Sequence, residues 1–103
     1  MQSTFATNVY HIASKIPKGK VATYKQLATL AGKPKAARAV GMLMKHNPDK
    51  TIVPCHRVVG SNGKLTGYTF GNGIQAKKLL LKEEGVDFTK NNVNLTTSLW
   101  KTN

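Results

Sequence analysis

The sequence predicts a mainly α fold: a three-helix, winged helix-turn-helix domain with a small β wing and a C-terminal helix. Three observations lead there. Apolar residues recur at helical spacing in successive short segments. A capping box opens a helix that a Gly–Pro stretch separates from the next, the pattern of two helices joined by a short turn. An Asn-Gly turn signal then lies between two short segments, Val58-Val59 and Lys64-Leu65. The 103 residues suit one domain, 1–103, with its core over about 4–88.

Phe5, Val9, Ile12, Ala13 and Ile16 place a first helix over 4–16, and Pro17-Lys18-Gly19 ends it. Lys20-Val21-Ala22 is a short extended link. Thr23 caps the second helix, with Gln26 three residues on, and Gly32 closes it. Pro34 suits the first turn of a third helix, which runs to about His46, where Asn47-Pro48 stops it. Ala36, Ala37, Val40, Leu43 and Met44 fall on one side of that helix. Lys35, Arg38, Met42, Lys45 and His46 fall on the other, flanked by small Ala39 and Gly41. Cations beside little bulk would let a nucleic acid approach closely; an amphipathic helix with a solvated lysine face has the same spacing. Val58-Val59 and Lys64-Leu65 flank Gly60-Ser61-Asn62-Gly63 as a hairpin wing. A glycine-rich loop covers 67–73. The last helix covers about 73–84, with Gly85 as its stop. The tail 89–103 has only Val93, Leu95, Leu99 and Trp100 to anchor it, and no element is assigned there.

Sixteen Lys and Arg face four acidic residues, a net charge of +12. Such a surplus predicts a polyanionic partner and salt-sensitive binding. Only Arg38 and Arg57 are arginines, and both fall in segments with other functional signals, where a planar donor fork has a use that lysine cannot fill. A single cysteine excludes an internal disulfide and a multi-cysteine zinc site. The N-terminus has no signal-peptide pattern and no run is long enough to span a membrane, so a cytoplasmic protein with a reduced thiol is expected.

That cysteine lies in Pro54-Cys55-His56-Arg57-Val58. A thiol acts as a nucleophile when a base or positive charge makes its thiolate accessible. In an extended segment, Cys55 and His56 point to opposite sides, so a direct contact does not follow from their adjacency, and one water could bridge them. A third group should orient the imidazole. Ile74, Lys77, Leu81 and Glu84 share one side of the last helix, whereas Glu83 lies about 100° from Glu84 and faces solvent. An inward Glu84 must be paired, with His56 as its natural partner or a lysine as the alternative. An inert buried thiol is the alternative for Cys55.

These residues resemble those of the O6-alkylguanine-DNA alkyltransferases, also called methylated-DNA–protein-cysteine methyltransferases. The resemblance rests on Pro54-Cys55-His56-Arg57-Val58 and, in the same order as in the family, on Tyr24-Lys25-Gln26-Leu27-Ala28, Lys35-Ala36-Ala37-Arg38-Ala39-Val40-Gly41, Met44-Lys45-His46-Asn47-Pro48, Gly67-Tyr68 and Glu83-Glu84-Gly85. It covers roughly residues 4–88 and is specific to the family's C-terminal active-site domain. It implies direct damage reversal: the enzyme flips an O6-alkylated guanine from duplex DNA, and the cysteine keeps the alkyl group, in one turnover and without a cofactor or metal. Cys55 would be the acceptor, His56 its base through a water, Glu84 the orienting carboxylate and Asn47 the hinge behind the signature. Arg38 would fill the vacated base stack, and Tyr24 would press on the phosphate 3′ of the target. The resemblance puts Lys35, Ala39, Gly41, Lys45 and Ser61 at a DNA surface that meets the minor groove. It puts Tyr68, Thr69, Val58 and Met44 around the flipped base, with Tyr68 stacking on it.

Members usually carry a preceding small α/β domain, with no counterpart in these residues; the expected state is a monomer, with a separate chain or another repair protein as an additional partner. Tyr68-Thr69-Phe70-Gly71 replaces the Tyr-Ser-Gly-Gly of some members. Alkyltransferase-like proteins are the alternative: short lesion binders that recruit another repair pathway and usually carry tryptophan at the cysteine position. Cys55 argues against them. The resemblance implies residence at the genome, in the nucleoid or, in a eukaryote, the nucleus.

Overall fold

The computed structural model describes residues 4–66 and 73–102. Helix α1 spans Phe5–Ala13, with the Thr4 hydroxyl accepting from the Thr7 amide at 3.0 Å. It is shorter than the 4–16 expected, because the chain tightens after Ala13: the Lys15 amide bonds Ile12 O and the Ile16 amide bonds Ala13 O. Strand β1, Ala22–Thr23, leads directly into α2, Tyr24–Leu30. The capping box is formed: the Gln26 amide donates to Thr23 Oγ1 at 3.0 Å, and the Thr23 amide donates to Gln26 Oε1 at 3.3 Å. Gly32 follows with φ +90°, the left-handed geometry that glycine adopts without strain.

Helix α3 spans Ala37–Lys45. Pro34 is not in its first turn, as expected from the sequence, but in the turn that precedes it. Ala36 occupies the cap and brings no side-chain hydrogen bond. The sorting of faces holds: Val40 and Met44 are buried, and Arg38, Ala39, Met42 and Lys45 are exposed. Helices α2 and α3 pack on one another, and α1 packs across both.

The expected hairpin wing does not form. Asn62 and Gly63 do make a left-handed turn, with φ +63° and +79°, and the Gly60 amide bonds Lys64 O at 2.8 Å. Yet β2, Val58–Val59, pairs in parallel with β1, Ala22 opposite Val58 and Thr23 opposite Val59. Both valines are fully buried there, whereas a solvent-exposed wing would leave one face of the strand wet. Successive strand residues point to opposite faces. Accordingly, Ala22 and Val58 join a cluster with Val9, Ala13, Leu27, Val40 and Met44, whereas Val21 and Val59 join a second with Leu65, Leu81, Val86 and Val93.

Helix α4, Ile74–Glu83, ends at Gly85, φ +87°. Leu81 and Lys77 are buried, but Ile74, expected on the interior face, is 41% exposed at the helix start. The tail is ordered. Strands β3, Phe88–Thr89, and β4, Asn92–Val93, form an antiparallel hairpin, and α5, Leu95–Ser98, follows from an Asn94 cap. Val21 bridges Leu99 in parallel, a long-range pairing that local patterning does not reveal.

Replacing Thr23 by Ala removes the cap of α2 and should cost about 1 kcal/mol. Urea unfolding of the two proteins measures it; equal midpoints and slopes would contradict a capping role.

Candidate active site and nucleic-acid interface

Asn47, at the end of α3, anchors the chain that follows. Its Nδ2 donates to Val53 O at 2.7 Å, and its Oδ1 accepts from the Asp49 amide at 3.1 Å. Val53 is in turn the acceptor for the Cys55 amide, at 2.8 Å. Residues Cys55–Arg57 form a 3₁₀ turn, not the extended segment expected, so consecutive side chains diverge by about 120° instead of alternating. Cys55 is free, 3% exposed, and packed in the first core cluster with Met44 and Val53.

Glu84 caps α4 and organises the charges behind the cysteine. Its Oε2 is 3.0 Å from His56 Nε2. Its ion-pair partner is Arg57, not a lysine: Arg57 Nε donates to Oε1 at 2.9 Å and Nη2 to Oε2 at 2.6 Å, while Nη1 reaches Ile16 O at 2.9 Å. Burial alone would raise the Glu84 carboxyl, but hydrogen bonds from Arg57 and His56 outweigh it and hold the group below its ordinary value. Burial also lowers His56, with Glu84 pulling the other way. The imidazole is therefore neutral near pH 7. With Nε2–H committed to a carboxylate, Nδ1 is left as the acceptor, the arrangement a general base needs.

Lys77 is the most buried charged residue described, 1% exposed. Its ammonium donates to Val58 O at 2.6 Å and Thr66 O at 2.8 Å. Thr66 O also accepts from the Tyr24 hydroxyl at 3.0 Å. Burial brings Lys77 down to about 8, with the nearby Cys55 acting against that drop. Burial likewise raises Tyr24, whose bond to Thr66 opposes the shift. Cys55, Tyr24 and Lys77 thus lie within electrostatic reach of one another.

Between α2–α3 and the 60–66 segment runs an open cleft of about 650 Å³. Tyr24, Lys25, Arg38, Met42 and Lys45 line one wall, and Gly60, Ser61, Lys64 and Thr66 the other. Gly41 also lines it, with nothing within 4 Å of where a Cβ would stand. The cleft therefore gathers Tyr24, Arg38, Gly41, Lys45 and Ser61. Lys35 and Ala39 are exposed nearby but outside the lining. Val58 and Met44 are buried, the first holding Lys77 through its carbonyl. Tyr68 and Thr69 lie outside the described residues. Sequence reasoning missed the structural roles of Arg57 and Lys77. The signals were present: one of only two arginines beside the cysteine, and a lysine on the apolar side of α4.

A single buried cysteine beside an oriented imidazole, with a cationic cleft on a helix-turn-helix, defines a domain of the DNA-binding type. The chain belongs to the 6-O-methylguanine DNA methyltransferase family: the model of that family's DNA-binding domain matches residues 4–86. It is 49% identical over 81 residues to the methylated-DNA–protein-cysteine methyltransferase of Methanosarcina acetivorans, and 49% over 81 residues to that of Salmonella typhimurium. These matches cover 79% of this chain but 51% and 46% of the relatives, so the chain spans about half their length. Among solved structures, S. pombe Atl1 in complex with damaged DNA containing O6-carboxymethylguanine is similar over 99% of this chain and 100% of that one, with TM-score 0.82 and 40% identity. Mycobacterium tuberculosis OGT in complex with DNA is similar over 82% of this chain and 52% of that one, with TM-score 0.73 and 46% identity. Among the described residues, no helix is long and apolar enough to cross a membrane.

Lys77→Met should leave the buried Val58 carbonyl unpaired and destabilise the fold by about 1–3 kcal/mol at pH 7. The pH dependence has a definite sign. Lys77 titrates at about 8 when folded and 10.5 as its ordinary value, so the unfolded chain binds more protons between them. Wild-type stability relative to the variant should therefore rise with pH across that window. Denaturant unfolding at a series of pH values tests this; a flat difference would remove Lys77 as a buried cation.

Proposed function

We propose that these residues form the active-site and DNA-binding domain, the C-terminal one in the family, of a single-turnover O6-alkylguanine-DNA alkyltransferase. The observation that carries this is a buried Cys55 next to His56, with the imidazole oriented by a Glu84 carboxylate that Arg57 holds. Duplex DNA lies along the cleft through its minor groove, Arg38 takes the place of the extruded base, and Tyr24 faces the adjacent phosphate. The chain acts as a monomer at the genome.

His56 Nδ1 takes the thiol proton through one water. The sulfur of Cys55 attacks the alkyl carbon, forming the S–C bond as the C–O6 bond breaks. The bonding pair stays on guanine, which recovers a proton, and Cys55 is left as a thioether. Lys77 stabilises negative charge near the sulfur before attack. No cofactor takes part. Asn47 holds the Cys55 segment in place during the attack. Tyr68 and Thr69 complete the base pocket in this reading, with backbone groups of Cys55 and Val58 on the guanine edge.

A second reading, a lesion-binding protein that does no chemistry, is favoured by the likeness to Atl1 over nearly the whole chain. Intact-protein mass spectrometry after incubation with duplex DNA bearing one O6-methylguanine separates the two. One added methyl, localised to the Cys55 peptide, is the expected result. Tight lesion binding with no mass change would favour the second reading, and no lesion preference would overturn both. Cys55→Ala should abolish transfer and retain lesion binding.

Glu84→Gln should slow transfer on the order of 10²-fold, the scale of a mispositioned general base. The variant's rate-versus-pH curve should also shift, because the imidazole loses its carboxylate partner. An unchanged profile would remove Glu84 as the orienting group.

A further inference from the structure

Residues 88–102 lie beyond the 4–86 matched by the family model, yet the likeness to Atl1 extends over 99% of the chain. None of them lines the cleft, and among the described residues they add no hydrogen bond to the His56–Glu84–Arg57 set, although Trp100 packs on the core cluster that holds Cys55. They do touch what lies behind each cleft wall. Behind the α2 wall, Trp100 O accepts from Gln26 Nε2 at 2.7 Å, and Gln26 belongs to the capping box that starts α2 at Tyr24. The Trp100 amide bonds Val21 O at 2.6 Å, and the Val21 amide bonds Ser98 O at 2.9 Å. Behind the other wall, Val93 is 2% exposed in one cluster with Val59 and Leu65, the flanks of the Gly60–Lys64 turn. The turn and β4 approach so closely that a Cβ on Gly63 would stand 2.1 Å from Val93 O. Ser98, 3% exposed, closes the segment by accepting from the Asp87 amide at 3.0 Å.

We propose that residues 88–102 form a strap that sets affinity for duplex DNA by bracing both walls of the cleft from behind, without contacting the DNA. Fixing the separation of the walls in the free protein spares DNA the ordering that binding would otherwise require. By reciprocity, DNA held in the cleft must tighten the strap. The inference rests on the reading of the cleft as a duplex DNA site. It is independent of whether Cys55 reacts.

Two measurements test it. The first uses the wild-type protein: hydrogen exchange of the Val21, Asn94 and Trp100 amides, with and without a short unmodified duplex at saturation. Slower exchange with DNA is expected, and equal rates would overturn the proposal. The second is duplex affinity of Val93→Ala/Ser98→Ala by fluorescence anisotropy across salt concentrations. The expected result is about tenfold weaker binding with the same slope of log Kd against log salt, because no phosphate contact is lost. Unchanged affinity would overturn the strap. A shallower slope would also overturn it, since it would mean that Lys90 or Lys101 contacts phosphate directly. A wild-type chain that binds no duplex would instead fail the DNA reading itself.

Discussion

The structure hangs on a parallel pair only two residues long. Ala22–Thr23 and Val58–Val59 are short, but each end carries something the site needs. Thr23 is at once the end of β1 and the cap of α2, so Tyr24 takes its place from the strand. Val58 immediately follows the Cys55–Arg57 turn, so the cysteine inherits its position from β2. Because strand residues alternate, the same pair also divides the core in two. The helix-turn-helix packs on one side, Leu81, Val86 and Val93 lie on the other, and α4 and the tail reach both through Ala76, Leu80 and Trp100. The cleft wall and Cys55 are thus fixed to one element, and a shift in one moves the other.

Charge is distributed with similar economy. A chain of net charge +12 pushes against itself when compact, and only four carboxylates are available to relieve it. One of them, Glu84, is clasped by Arg57 and shared with His56. The arginine does here what lysine cannot: its planar fork takes both carboxylate oxygens and still leaves a donor for Ile16 O in the turn that follows α1. Lys77, by contrast, holds no carboxylate among the described residues. It is stabilised by two backbone carbonyls and loses much of its basicity to burial. The cations of the cleft, Lys25, Arg38, Lys45 and Lys64, line an open surface that a polyanion fits.

Much of the helical fold was legible in the chain. Thr23 and Gln26 announced α2 by chemistry local to four residues, and Gly32 and Gly85 marked helix ends where a left-handed residue is needed. The faces of α3 followed from 3.6-residue periodicity, because that helix is surface-packed on one side only. The β elements were not legible. Val58-Val59 next to Asn62-Gly63 looks like a hairpin to any local rule, but its partner lies 36 residues earlier at Ala22-Thr23. The Asn94 cap was equally local, yet without the Val21–Leu99 bridge nothing marked the tail as ordered. In the site, periodicity put Glu84 on the inner side of α4. It did not show that Arg57 would reach it, because a contact across 27 residues depends on how helix and turn are stacked.

The sequence by itself determined the helix-turn-helix, the strongly positive charge and the single cysteine with its neighbouring imidazole. Those properties belong to composition, to local hydrogen bonding and to spacing within a few residues. Only the tertiary structure decided that the valines pair with β1, that Arg57 and Lys77 complete the surroundings of Cys55, and that the tail lies behind both walls of the cleft. Each of those depends on burial. An unpaired carbonyl, carboxylate or strand edge is tolerable in water and costly in a core, so its partner is selected only when distant segments exclude solvent together.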